Sequence, residues 1–233
     1  PIPGVENVDY WTHRDALDNK EVPASLTIVG GGVIGMEFAS FFTSLGVQVT
    51  VVEMLDEILG GMDKELSAML RAEYAKKGIK FLLSTKVVGV SKGETGITVS
   101  YENADGTGTV TADKLLMSVG RRPVTKGFGL ENLNLEWTER RCIKVDEHLQ
   151  SSVPGVYVCG DLNGVSLLAH TAVREAEVAV HHITGKEDVM SYRAIPGVVY
   201  TNPEIAGVGM SEEALQAAGI PYRAVKLPMA YSG

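Results

Sequence analysis

An apolar stretch, Leu26-Thr-Ile-Val29, runs directly into Gly30-Gly31-Gly32-Val33-Ile34-Gly35-Met36-Glu37, and a helix-like pattern follows. This G-x-G-x-x-G spacing after a strand leaves few folds open. Gly30 lets the chain turn tightly, Gly32 lets backbone approach a pyrophosphate, and Gly35 lets the helix pack close on its strand. The free N–H groups at such a helix start favour a phosphate anion. A second apolar strand, Val47-Gln-Val-Thr-Val-Val-Glu53, ends in an acid 23 residues after Gly30. That is where a carboxylate accepts hydrogen bonds from a ribose 2′-hydroxyl. Strand, glycines, helix, strand and terminal acid together predict a dinucleotide site.

The surrounding pattern predicts one α/β domain over residues 24–120. A strand near 26–29, a helix near 33–45 and a strand near 48–53 make the first βαβ unit. Phe38, Ala39, Phe41, Phe42 and Leu45 suggest a helix covered on both faces, and Gly46 stops it as a C′ glycine does. Residues 62–77 predict a second helix, with Asp63 and Glu65 at its start and Lys76 and Lys77 at its end. Its expected core stripe is Leu66, Met69, Leu70 and Tyr74, its methionines packed as core. A strand is expected at 79–83. An antiparallel meander then follows at 86–91, 96–101 and 108–111, with Asp105-Gly106 as a hairpin signal. Lys114–Val119 reads as a buried strand returning to the parallel sheet.

The rest changes character. Residues 1–23 are linker-like, with a short helical stretch around Arg14–Leu17. Residues 127–135 read as loop, 141–145 as a short strand, and 154–161 as an apolar strand ending in Gly160-Asp161. A helix over 166–183, stopped by Gly185, places Asp161 at the ligand-bearing edge of an α/β sheet. From Tyr192, strands at 198–200, 205–209 and 223–227 flank a helix over 211–219, capped by Ser211. The chain opens on Pro1 and ends on Gly233 without a capped element, so it reads as part of a longer polypeptide.

Composition narrows the function. A net charge of −8 argues against a nucleic-acid or anionic-membrane surface. No apolar run approaches the ~18 residues that span a bilayer. Cys142 and Cys159 are the only cysteines. They form no C-x-x-C metal or redox motif, and their scarcity fits a reducing, cytoplasmic setting. Cys159 in an apolar strand reads as a structural thiol. His181 and His182, neighbours on a helix, point to different faces and read as surface residues, like His13 and His148 in loops. Neither a metal site nor a catalytic residue is expected in the chain.

Four separated motifs, in order, resemble the middle and late part of the dihydrolipoamide dehydrogenases, which belong to the two-dinucleotide flavoprotein disulfide reductases. They are Val29-Gly-Gly-Gly-Val-Ile-Gly-Met-Glu37, Ser118-Val-Gly-Arg-Arg-Pro123, Val156-Tyr-Val-Cys-Gly-Asp161 with Leu168-Ala-His170, and Val199-Tyr-Thr-Asn-Pro-Glu204-Ile-Ala-Gly-Val-Gly209. The resemblance implies a Rossmann-like NAD-binding domain with an inserted β-meander (24–120), preceded by a linker from an FAD domain (1–23). The second part of that FAD domain (121–191) and the start of an α/β dimerisation domain (192–233) would follow.

It also implies roles. Gly30, Gly31, Gly32, Val33, Ile34, Gly35, Met36 and Glu37 would form the NAD turn and its helix, with Glu37 near the nicotinamide–flavin stack. Glu53 would hold the adenosine ribose, and Val87 and Gly120 would line the NAD cleft through backbone. Asp161 would bind the FAD ribitol chain. Leu167, Leu168, Ala169 and His170 would meet the flavin side through main-chain groups.

The family's first Gly-rich FAD turn, its C-x-x-x-x-C disulfide and its C-terminal His-Glu pair match nothing in residues 1–233. The expected activity is therefore that of a longer homodimeric parent. That parent would oxidise dihydrolipoyl groups of 2-oxoacid dehydrogenase or glycine cleavage complexes, with FAD and NAD⁺. This chain alone would bind NAD(H) weakly and FAD poorly, without turnover. The carboxylate of Glu53 repels a 2′-phosphate, and no Arg follows it in Met54-Leu55-Asp56, which favours NAD over NADP. Mercuric reductase-like, NADH oxidase-like and transhydrogenase-like relatives share the motifs, and a non-catalytic nucleotide-binding module stays open.

Overall fold

A computed structural model describes residues 2–231. The terminal Pro1 and Ser232–Gly233 lie outside the described residues. The chain divides into two compact units: one runs up to Gly120 and resumes at Pro196, and the other is Arg121–Ile195.

The first unit is built on four parallel strands: β1 (Ser25–Val29), β2 (Gln48–Val52), β3 (Lys80–Leu82) and β7 (Lys114–Met117), in the order β3-β2-β1-β7. β1 is flanked by β2 in register Leu26↔Val49 and by β7 in register Leu26↔Lys114. Its near-continuous apolar run is what a strand covered on both faces requires. One face packs against α2 (Val33–Ser44) and α3 (Lys64–Lys76), with Leu26, Ile28, Val51, Met36, Phe42, Leu70 and Tyr74 in a shared core. The other face is covered by the meander β4 (Lys86–Gly93), β5 (Gly96–Asn103) and β6 (Gly106–Ala112). There Val29 and Leu115 meet Val90, Ile97 and Val99. The β5–β6 hairpin turns on Ala104 and Asp105, where Asn103 Oδ1 accepts the Asp105 N–H, and Gly106 closes it at φ +120°.

Helix ends follow local chemistry. The Asp63 carboxylate accepts the Glu65 N–H and starts α3. Gly46 at φ +84° ends α2, with Val47 N–H bonded back to Phe42 O.

Several expectations are corrected. The exposed Phe41 and Leu45 leave one face of α2 uncovered. Met69 is 64% exposed and Leu66 is also exposed, so the buried stripe of α3 is Ser67, Leu70 and Tyr74. The linker-like opening is ordered. It carries a 3-10 turn (Val5–Asn7) and α1 (His13–Asp18). Trp11, buried, exchanges backbone bonds with Leu115 and Met117 at the β7 edge. The segment at 223–227 is irregular, not a strand. From 196 the chain adds the hairpin β8 (Pro196–Val199) and β9 (Ile205–Val208), then α5 (Glu212–Ala217), capped by Ser211 accepting the Ala214 N–H.

The second unit is mostly irregular. Its expected strands at 141–145 and 154–161 are only isolated bridges, such as Trp137↔Ile143 and Gln150↔Tyr157, because no neighbouring strand runs alongside them. A 3-10 turn (Gly160–Leu162) follows, and α4 spans Ala169–Ile183, starting later than expected. Among the described residues no helix is long and apolar enough to cross a membrane.

Because Leu70 is buried and Met69 is not, Leu70→Ala is expected to destabilise the first unit by about 2–5 kcal/mol. Met69→Ala should change it by less than about 0.5 kcal/mol. Urea unfolding of the two variants checks the pair, and equal losses would contradict the packing.

Candidate functional site

The predicted dinucleotide residues converge at the carboxyl edge of the parallel sheet. Gly30 leaves β1 at φ +105°, its N–H bonded to Val52 O, and a Cβ there would collide with the Ser118 carbonyl. Gly35 is pressed against the turn so tightly that a Cβ would overlap Gly30 O. Gly32 differs, since a Cβ there would meet nothing within 4 Å. It is the N-cap of α2 and has no side-chain cap, and the first turn carries no acid. The N–H groups of Val33 and Ile34 thus face an open cradle that a side chain at residue 32 would begin to fill. Val33 is exposed and Ile34 half-buried, whereas Met36 is fully buried and its N–H is spent on Gly32 O. Met36 therefore serves the core side of the motif.

Glu53 stands just past β2 and is bound to the loop it serves. Its Oε2 accepts the Gly31 N–H at 2.6 Å and its Oε1 accepts the Leu55 N–H at 2.8 Å. A carboxylate has about four lone-pair sites, so Glu53 keeps acceptor capacity for further donors. Thr85 N–H bonds to Glu53 O, which brings the start of β4, and so Val87, toward the same edge. Gly120, exposed at φ +117°, follows β7 on it. Arg71 donates to both oxygens of Glu57, at 2.8 and 2.9 Å, and that pairing raises its pKa further. Glu37, one helical turn on, accepts the Tyr200 N–H at 2.9 Å, so the strand after Pro196 fixes its carboxylate. Glu37 also lines an apolar cleft of about 430 Å³ with Leu17, Val22, Phe38 and Phe41.

In the second unit, Asp161 sits exposed in the turn after Gly160 and has no hydrogen-bond partner among the described residues. Leu167, Leu168, Ala169 and His170 are likewise exposed at the start of α4. Leu168 is its N-cap, without a side-chain cap or a first-turn acid. Glu175, a residue the sequence does not single out, lies on the buried face of α4. It accepts the Gly160 N–H at 2.5 Å and the Tyr192 hydroxyl at 2.7 Å. Its only sequence signal was a spacing of four from Thr171, which is also buried. Burial, and then Glu175, push the Cys159 thiol up, as suits an inert structural cysteine. His181 and His182 diverge as expected. His181 pairs with Asp188 at 2.7 Å, while His182 stacks on His148 and bonds Tyr157. Among the described residues no cluster of His, Cys, Asp and Glu fits a metal.

Residues 1–176 match the family model described as pyridine nucleotide-disulphide oxidoreductase, and residues 195–233 match the dimerisation domain of that family. The chain belongs to the pyridine nucleotide-disulphide oxidoreductases. Among curated relatives, it is 40% identical over 232 residues to dihydrolipoyl dehydrogenase 3 of Pseudomonas aeruginosa, covering 98% of this chain and 50% of that protein. It is 40% identical over 237 residues to the mitochondrial dihydrolipoyl dehydrogenase of Homo sapiens, covering 99% and 46%. The flavoprotein disulfide reductase RclA of Escherichia coli superposes with a TM-score of 0.88 at 28% identity, over 99% of this chain and 53% of that one. LpdA of Mycobacterium tuberculosis gives 0.85 at 31%, over 94% and 47%. The chain spans about half the length of the relatives it matches.

Two outcomes follow from the geometry. Gly32→Ala should leave the melting temperature unchanged yet weaken NADH binding about tenfold or more. Gly35→Ala should lower the melting temperature, because its Cβ meets backbone. Calorimetry with NADH titration separates them, and a Gly32→Ala variant with unaltered affinity would remove the cradle.

The Arg174 guanidinium, and then His181, hold the Asp188 carboxyl well below the usual carboxylate range. Folding thus lowers this group beneath its unfolded value of about 3.9. Its contribution is present above that pH and is lost as pH falls toward the folded value. Asp188→Asn should therefore flatten the acid limb of stability below about pH 4, read by melting temperature against pH.

Proposed function

We propose that this chain is the NAD(H)-binding portion, with part of the FAD-binding portion, of a dihydrolipoamide dehydrogenase. The full-length protein would oxidise dihydrolipoyl groups to lipoyl groups with NAD⁺ as acceptor. One observation carries this reading. The open cradle at Gly32 and the Glu53 carboxylate, held 2.6 Å from the Gly31 amide, form a phosphate-and-ribose site with an acid where a 2′-phosphate would lie. The roughly 40% identity to dihydrolipoyl dehydrogenases across nearly all of the chain supports the choice of substrate.

FAD, when bound, supplies two-electron carriage between a dithiol–disulfide couple and the nicotinamide. This chain's residues bind and orient. The amides of Val33 and Ile34 take the NAD pyrophosphate, Glu53 accepts from the ribose hydroxyls, and backbone near Val87 and Gly120 borders the cleft. Asp161 accepts from hydroxyls of the flavin ribitol, and main chain from Leu167 to His170 flanks the flavin. The exposed, unpartnered state of Asp161 supports that fit. The match of residues 195–233 to a dimerisation domain supports a homodimer. The partners proposed are the lipoyl-bearing components of 2-oxoacid dehydrogenase or glycine cleavage complexes. The proposed setting is cytoplasmic, on its sparse and inert cysteines.

A second reading, another flavoprotein disulfide reductase, is favoured by the 0.88 TM-score to RclA. The full-length protein separates the two. NADH formation from dihydrolipoamide with NAD⁺, and little with NADP⁺, is expected, while flavin without that turnover would select the second reading. Glu53→Ala should raise the NADH dissociation constant about tenfold and narrow the preference over NADPH. Unchanged affinity would refute the ribose assignment.

A further inference from the structure

The buried face of α4 carries a charged-type side chain to which the dinucleotide readings give no part. Glu175 is fully buried, next in its stripe to Thr171 and Val178. A carboxylate removed from water is costly unless its oxygens are hydrogen-bonded, and an apolar side chain would pack there more cheaply. Both of its oxygens are engaged. Oε2 takes the Gly160 N–H at 2.5 Å and Oε1 takes the Tyr192 hydroxyl at 2.7 Å. Burial, and then the bond to Glu175, raise the Tyr192 hydroxyl well above its usual range, which keeps its proton available to donate.

The donors show what is being held. Gly160 is buried, sits at φ +72° and opens the 3-10 turn that presents Asp161. Among the described residues its N–H has no backbone acceptor, so without Glu175 it would be a buried amide left unpaired. The same turn also runs close along α4, since a Cβ on Gly160 would lie 3.2 Å from Ala172 Cβ. One hydrogen bond and one close approach therefore set the turn against the helix, and the next residue, Asp161, is exposed. We infer that Glu175, locked by Tyr192, is a positioning residue that fixes the Gly160-Asp161 turn and so aims the Asp161 carboxylate at the polyhydroxylated chain of the flavin. The inference rests on the FAD reading above.

A glutamine can keep both bonds. Its oxygen accepts from Gly160, and its amide nitrogen donates to the Tyr192 oxygen. A leucine keeps bulk and no acceptor. The test is FAD affinity of the full-length protein that carries these residues, with FAD as the probe and flavin fluorescence as the readout. Glu175→Leu should weaken FAD about tenfold, and Glu175→Gln should stay within about threefold of the unsubstituted protein. In an Asp161→Asn background, Glu175→Leu should add less than about threefold, because it acts through the same carboxylate. A purely structural role would give additive losses, and that result, or a Glu175→Leu protein that binds FAD normally, overturns the inference. If Glu175→Leu does not fold, Tyr192→Phe takes its place in the cycle. A few-fold loss that vanishes in Asp161→Asn supports the clamp, and unchanged affinity overturns it. An unsubstituted protein that binds no FAD overturns the FAD reading itself, and the inference falls with it.

Discussion

The contact between Gly35 and the Gly30 carbonyl governs the first unit. With no Cβ at either position, α2 lies down on β1 closely enough to bury Met36, Ala39 and Phe42 against Ile28 and its neighbours. The same approach leaves the helix's first amides pointing outward past Gly32. Packing and the proposed binding therefore have one cause. Any side chain that props the helix away from the strand loosens the core and retracts the donors together. Glu53 extends the arrangement, since its bond to Gly31 ties the end of β2 to the turn after β1. The acid expected to read the ribose thus also holds the shape of the loop proposed to take the phosphates.

The strand after Pro196 reaches into this arrangement from far along the chain. Tyr200 N–H fixes Glu37, and Asn202 is bonded through both its N–H and its C=O to the Tyr74 hydroxyl, with Lys77 Nζ on the same carbonyl at 2.6 Å. Val199 and Ile205 join the α2–α3 core. The first unit is consequently discontinuous in sequence, and the residues matching a dimerisation domain begin inside its packing.

What was legible in the sequence is what local geometry dictates. The glycine spacing, the acid after β2, the acids at the start of α3, the cap at Ser211, and the alternation of the meander each depend on a few neighbouring residues, and each element formed. The misreadings share another origin. Phe41, Leu45 and Met69 have the right hydrophobicity and period, but a period does not supply a partner surface, and they stay exposed. Residues 154–161 and 223–227 are apolar enough for strands yet, among the described residues, have no strand to pair along. Glu175 is hard to pick out because Arg174 and Glu177 flank it as further charges of the same helix, Arg174 bonded to Asp188 at 2.6 Å and to Glu177 at 3.4 Å. Nothing in their spacing marks the one that turns inward toward Gly160. The linker-like opening hid Trp11 because a single bridge at a sheet edge leaves no periodic trace.

The meander's place between β3 and β7 bears on the order in which the molecule assembles. β1 pairs with β2 at short range, but its other neighbour starts at Lys114, opposite Leu26, beyond two helices and five strands. Closing so long a loop costs chain entropy before any contact repays it. The hairpins β4–β5 and β5–β6 are local and need no such search. Once formed, they shorten the free chain between the partners and offer β7 an apolar surface on which to land. Until β7 arrives, one edge of β1 stands open to any other strand, so the slow step of folding and the main hazard of misassembly fall on the same seam.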